Sequence, residues 1–231
     1  MPEHNPVAAA LQGATFGAIG SVPIVGGIVA GVIQSALESS ARARQEDWWA
    51  TVAARLSVIE EQLGEHLQTD HPEFVSAAFR LTRAAEETAD DEKRDRLASA
   101  LAHAGPWSAL PSDRRERMER LLTELTSREI LMLRIVADPG AWLKKQNPAA
   151  VFAYQGNTTG TFQEFLDSHV SHGDLDEQRN VQATLESLSR RELIGAFAHS
   201  MTETRTGEEI LAGKAASLGL ELLGYLNEIE P

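Results

Sequence analysis

The chain has 231 residues, 42% of them hydrophobic and 24% charged, which is enough for one large domain or two small ones with apolar cores and excludes a disordered or fibrous chain. It contains no cysteine, which excludes disulfides, thiol catalysis and cysteine-based metal clusters, and fits a cytoplasmic location. A net charge of −13 opposes a nucleic-acid partner, because binding to the phosphate backbone rests on Lys and Arg displacing counterions.

The N-terminus carries Glu3 and His4 in place of a basic start, so it reads as part of the mature protein and not as a signal peptide. From Asn5 to Leu37 there are 33 residues without a formal charge, more than the roughly 20 that cross a bilayer as a helix. Six glycines and Pro23 make this stretch less apolar than a committed span. Proline disfavours helix at the residue before it, so the segment divides into helical pieces near 7–20 and 24–39, a hairpin or a kinked helix. Gly13 and Gly17 form one GxxxG and Gly27 and Gly31 another, leaving a bare face on each piece for close helix approach. Ile24, Val25, Ile28, Val29, Val32 and Ile33 are the lipid-facing candidates. Three readings fit: buried helices of a bundle, a latent membrane-inserting segment, and a permanent span. All need the same small residues.

Arg42, Arg44, Trp48 and Trp49 follow, cations and indoles suited to a membrane–water interface. Glu38, Glu46 and Asp47 offset the arginines, and core positions are the alternative for the tryptophans. Trp49, Val52, Leu56, Ile59 and Leu63 alternate spacings of three and four, a bundle seam on a helix from about 40 to 68. Pro72 opens a second helix with Phe74, Ala78, Leu81 and Ala85 inside, and Asp90 or Asp91 opens a third with Leu97 and Leu101 inside. Short connections between these helices predict an antiparallel bundle, with the mixed charges on solvated faces.

Beyond "GPWSALPSD", Ser112 begins a helix ending near Leu125. Thr126 and Glu129 form a capping box for the next, with Ile130, Leu133 and Val136 or Ala137 inside and Asp138-Pro139-Gly140 at its close. A loop-rich stretch, a short helix "TFQEFLDSHV" and a longer helix from about Asp174 to Ser189 come next. "RRELIGAFAHS" and "EEILAGKAAS" read as a two-stranded wing, and "SLGLELLGYLNEI" as a last helix. That order is winged-helix-like. The longer helix carries Asp174, Asp176, Glu177 and Glu186, a face that repels a phosphate groove, so the domain is read as a protein-contact module.

Two motifs imitate chemistry. Gly207 to Gly213 with Lys214 has the wrong spacing for a phosphate loop and lacks the following Ser or Thr. His169 and His172 lack a closed ligand set. No cofactor, metal or catalytic residue is assigned.

The stretches "PIVGGIVAGVI", "DEKRDRLASALAHAG" and "LTSREILMLRIVADPG" together resemble bacterial abortive-infection-type proteins of the Abi-alpha sort. The resemblance implies a non-enzymatic defence effector that damages the cell's own membrane after a trigger. The whole reading is a mainly α chain: a Gly-rich hairpin over 1–39, a helical bundle over 40–110 and a winged-helix-like domain over 111–231. It is expected to form a homo-oligomer, to contact a protein partner through the C-terminal domain, and to reside in the cytoplasm with membrane association on activation. A soluble oligomeric adaptor and a winged-helix transcriptional regulator are the competing functions.

Overall fold

The computed structural model describes residues 29–64, 66–154, 158–195 and 201–229, with side chains from Ser40 onward. The chain is mainly helical and divides into two compact units, one ending at Thr123 and the other beginning at Glu124.

The first unit contains α1 (Val29–Leu63), α2 (Pro72–Glu87), α3 (Asp91–Ala102) and the body of α4 (Ser112–Glu124). The expected hairpin piece ending at 39 and the bundle helix beginning at 40 are one unbroken helix, so α1 crosses that boundary. It stops at Gly64, not at 68, because Gly64 turns left-handed with φ +68° and its N–H bonds the Glu60 carbonyl at 2.9 Å. The seam runs through Trp48, Val52 and Ile59, with Leu56 half-buried and Leu63 left exposed. Trp48 fits a four-residue step to Val52 and so takes the place expected for Trp49.

α2 starts with Pro72 at its first position and His71 as its cap, and buries Phe74, Ala78, Leu81 and Ala85 as the spacing predicts. Asp90 caps α3 by accepting from the Lys93 N–H at 3.0 Å. α3 packs against both α1 and α2. Hence Ala98, Ala100 and Ala102 are buried along with Leu97 and Leu101. Gly105 follows, where a Cβ would meet the Trp107 ring at 2.2 Å, so only glycine fits beneath that indole. α4 buries Met118 and Leu122 and pairs Arg115 with Glu73 of α2. It therefore belongs with the bundle, although the sequence grouped it with the C-terminal segment.

The second unit contains α5 (Ser127–Ala137), α6 (Pro139–Gln146), a 3-10 turn (Pro148–Tyr154), β1 (Thr159–Gly160), α7 (Phe162–His169), α8 (Leu175–Arg190), β2 (Arg205–Thr206), α9 (Gly207–Leu211) and α10 (Ser217–Ile229). The Thr126 capping box forms as expected: the Thr126 N–H donates to Glu129 Oε2 at 2.8 Å, and the Glu129 N–H donates back to Thr126 Oγ1 at 3.1 Å. Asp138-Pro139-Gly140 closes α5 but at once opens α6. Asp138 accepts from the Ala141 N–H at 2.8 Å, and proline suits a first helical position, so the expected loop is helical.

The sheet departs from the expected wing. β1 pairs antiparallel with β2, Thr159 opposite Thr206 and Gly160 opposite Arg205. The first part of the expected second strand, Glu208 to Leu211, lies in α9, because a capping box between Thr206 and Glu209 starts a helix there. Residues 196–200 of the first expected strand lie outside the described residues; among the described ones the two expected strands meet at the antiparallel bridge between Ile194 and Ala215.

Candidate functional site

Gly13, Gly17, Pro23, Ile24, Val25, Gly27 and Ile28 lie outside the described residues. Val29, Gly31, Val32 and Ile33 form the first turns of α1, whose 35 residues span about 52 Å at 1.5 Å per residue. Among the described residues no helix is long and apolar enough to cross a membrane.

The four residues expected at a lipid interface separate. Arg42 is exposed, while Arg44 reaches into its own unit, its guanidinium donating to the Thr88 carbonyl. Trp48 is a core residue, 4% exposed, and its indole N–H donates to Thr82 Oγ1 at 3.1 Å. Trp49 is half-buried and lies edge-on to Trp48, ring centres 6.4 Å apart. The seam of α1 turns Trp48 into the core, and Arg44, though exposed, reaches the chain just beyond α2.

The largest concentration of buried charge in the first unit lies between α2 and α4. A cavity of about 300 Å³ there is lined by Glu73, Ser76, Arg80, Arg115, Glu116 and Glu119, among others. Glu119 has a side chain 2% exposed; Arg80 Nη2 donates to its Oε2, and Arg115 Nε lies 3.8 Å from its Oε1. Arg115, 4% exposed, also donates to the Leu110 carbonyl at 3.0 Å and to Glu73. Burial is the strongest influence on Glu119 and lifts its carboxyl above the usual range, against the opposing hydrogen bond and charge of Arg80 and the charge of Arg115. The cluster joins two helices by ionic ties.

In the sequence the mixed charges of the bundle helices, Glu73 and Arg80 among them, read as solvated faces. A signal was present: Arg115, Met118, Glu119 and Leu122 fall at helical spacing on one stripe, so two ionisable residues share the register of two apolar ones.

The second unit centres on α5 against α8. Glu129 Oε1 accepts from Ser187 Oγ at 2.6 Å and faces Arg191 at 3.5 Å. Burial pushes the Glu129 carboxyl up, but the Ser187 hydroxyl, the Thr126 N–H and hydroxyl, and the Arg191 charge together hold it below the usual value. Arg128 donates to Glu177 at 2.6 Å and to Thr184 at 3.3 Å, and the Arg128 bond holds the Glu177 carboxyl low. Asp174 caps α8 through the Asp176 and Glu177 N–H groups, and Asp176 pairs with Arg179 at 2.6 Å. Gln182 donates to Glu186 at 3.3 Å, so all four acidic residues expected to repel a groove are occupied locally.

Both chemical decoys have structural duties. His169 Nε2 lies 2.9 Å from the Tyr154 hydroxyl, and its ring packs on Phe165 and Tyr154. Burial, then the neighbouring His172, lowers the His169 pKa. Lys214 Nζ donates to the carbonyls of Glu209, Ile210 and Ala212 and sits 4.3 Å from the centre of the Phe162 ring. It caps the end of α9.

No family model, curated protein or solved structure matches this chain.

Proposed function

We propose that the protein is a non-enzymatic bacterial defence effector of the abortive-infection type, whose Gly-rich N-terminal segment enters the membrane after a trigger. The observation that carries this reading is the continuity of α1. Val29, Gly31, Val32 and Ile33 stand on the same helix as Trp48, Val52 and Ile59, which are buried in the first unit. A helix propagates its geometry along its length, so a shift at the bundle end displaces the apolar end as one lever. The glycine pairs then let inserted segments pack closely in lipid, where small residues drive helix association.

The test is dye release from anionic liposomes, with flotation to score binding, for the full chain and for the variant Gly27→Leu, Gly31→Leu. The expected outcome is release by the first, lost in the second, with the far-ultraviolet spectrum of the bundle unchanged. Equal release by both ends the packing role, and no binding by either chain under any trigger ends the membrane reading.

A second reading, a soluble oligomeric adaptor, is favoured by the second unit. β1 precedes the α7–turn–α8 pair and bonds β2, which follows it, an order like that of a winged helix. Such a module, with 66% of Leu175 exposed at the start of α8 and its acidic residues held in local pairs, suits a protein partner better than a phosphate groove. A transcriptional regulator would require duplex binding that falls steeply with added salt.

A further inference from the structure

We propose that α6 and the 3-10 turn after it form a docking patch for an anionic lipid surface, with Lys144 and Lys145 meeting the headgroups and Phe152 entering the apolar boundary beneath them. This rests on the membrane reading above and adds a point of contact in the second unit, one that is exposed without any trigger.

The turn is apolar and unburied. Its seven residues, PAAVFAY, include no charged or amide side chain, yet none of them is buried. Phe152 is 69% exposed, the highest value among the large hydrophobic residues described. The exposure does not come from a loose loop, because the turn is held at both ends. The Ala150 N–H donates to the Asn147 carbonyl at 3.0 Å, and the Tyr154 hydroxyl lies 2.9 Å from His169 Nε2. At Gly207 a Cβ would collide with the Tyr154 carbonyl, so the glycine that opens α9 lets the end of the turn seat against it. An ordered apolar segment left at the surface marks a contact site.

The charges select what it contacts. From Pro139 to Gln163 the only charged residues are Lys144 and Lys145, in a chain of net charge −13. The chain has four lysines. Lys93 donates to the Thr123 carbonyl at 2.8 Å and Lys214 to three carbonyls. Lys144 and Lys145 are exposed and have no hydrogen-bond or ion-pair partner among the described residues. Their helix, α6, packs directly on the turn and carries Trp142, a half-buried indole set edge-on to Phe165. α9 packs on both elements; its Glu209 is held by Thr206, and Glu208 is exposed. Lysine stems reach headgroup phosphates while an aromatic ring beside them sits lower, an arrangement suited to a membrane boundary. A nucleic-acid duplex would offer the lysines phosphates but give Phe152 no apolar phase, whereas an anionic leaflet offers both. At physiological ionic strength charges more than about 8 Å away are screened, so the acidic remainder of the chain does not cancel the local attraction.

The experiment is flotation of the full chain, with no trigger added, on vesicles of phosphatidylcholine alone or mixed with phosphatidylserine. Wild type is expected to float with the mixed vesicles only and to be detached by added salt. Lys144→Gln with Lys145→Gln should weaken binding by about twenty-five-fold, about fivefold per lysine, and Phe152→Ser by about tenfold. Lys144→Arg with Lys145→Arg should bind like wild type, because headgroup attraction needs the charge and not the amine. A wild type that stays unbound or floats equally with both vesicles would overturn the proposal. So would glutamine and serine variants that float like wild type, or the same variants losing binding to a DNA duplex while keeping it to vesicles. Dye release separates this patch from insertion. Gly27→Leu, Gly31→Leu should still float, and wild-type docking without release under any trigger would end the insertion reading while leaving the patch standing.

Discussion

Replacing Arg80 with Ala tests the view that the α2–α4 contact is held by buried charge. Arg80 is the closest partner of Glu119, whose side chain is 2% exposed, and its own side chain is 25% exposed. Breaking a buried pair by removing one partner costs about 3–5 kcal/mol, because the remaining charge loses its compensation. Here Arg115 stays 3.8 Å from the other carboxylate oxygen, and Arg80 is partly solvated, so the expected loss is about 2–3 kcal/mol. That corresponds to a fall in Tm of about 5–10 °C.

The pH dependence distinguishes this mechanism from simple loss of packing. Glu119 already sits above its ordinary value of 4.5, first because it is buried, and losing Arg80 raises it further. A carboxyl raised in the folded state binds its proton more tightly there than in the unfolded chain, so folding regains stability as pH falls through that raised value toward 4.5. The deficit of Arg80→Ala should therefore be largest near neutral pH and shrink toward about pH 5. Urea unfolding followed by tryptophan fluorescence at both pH values measures it. Adding Glu119→Gln to Arg80→Ala should recover part of the loss at neutral pH. A deficit under about 0.5 kcal/mol, or one equal at the two pH values, would refute the buried-charge account.

Glu192 follows α8 with φ +59°, a left-handed conformation that favours glycine, and its side chain is exposed. Glu192→Gly should raise stability by about 0.5–1 kcal/mol in chemical denaturation, and a loss would show that the side chain has a hidden contact. Lys214 is lowered to about 8 from 10.5, by burial first and by Arg205 second, so the unfolded chain holds this proton more tightly than the folded one. Stability should accordingly rise as pH climbs from about 8 toward 10.5, and Lys214→Met should flatten that rise; an unaltered slope would show that another group titrates.

Much of the architecture was legible in the sequence by itself. The stripes Phe74-Ala78-Leu81-Ala85 and Leu97-Leu101, the Thr126–Glu129 box and the helix over 217–229 follow from 3.6-residue periodicity and local capping chemistry, which need only neighbours in the chain. The lack of cysteine and the net negative charge were likewise fixed before any folding.

Other features required contacts between distant residues. Trp48 and Trp49 are adjacent and chemically identical, and the packing of α1 against α2 and α3 made Trp48 the core residue, with Thr82 accepting from its indole N–H. Whether Glu119 is a solvated charge or a buried one depends on Arg80, 39 residues away, reaching across from α2. β2 finds its partner at Thr159, before α7 and α8, because strand pairing is a long-range choice, whereas the capping box at Thr206 turns the nearer candidate into a helix. Local propensity sets the helices, and tertiary packing decides which polar and aromatic side chains leave water, since that choice is settled by whichever partner groups the fold brings within hydrogen-bond reach.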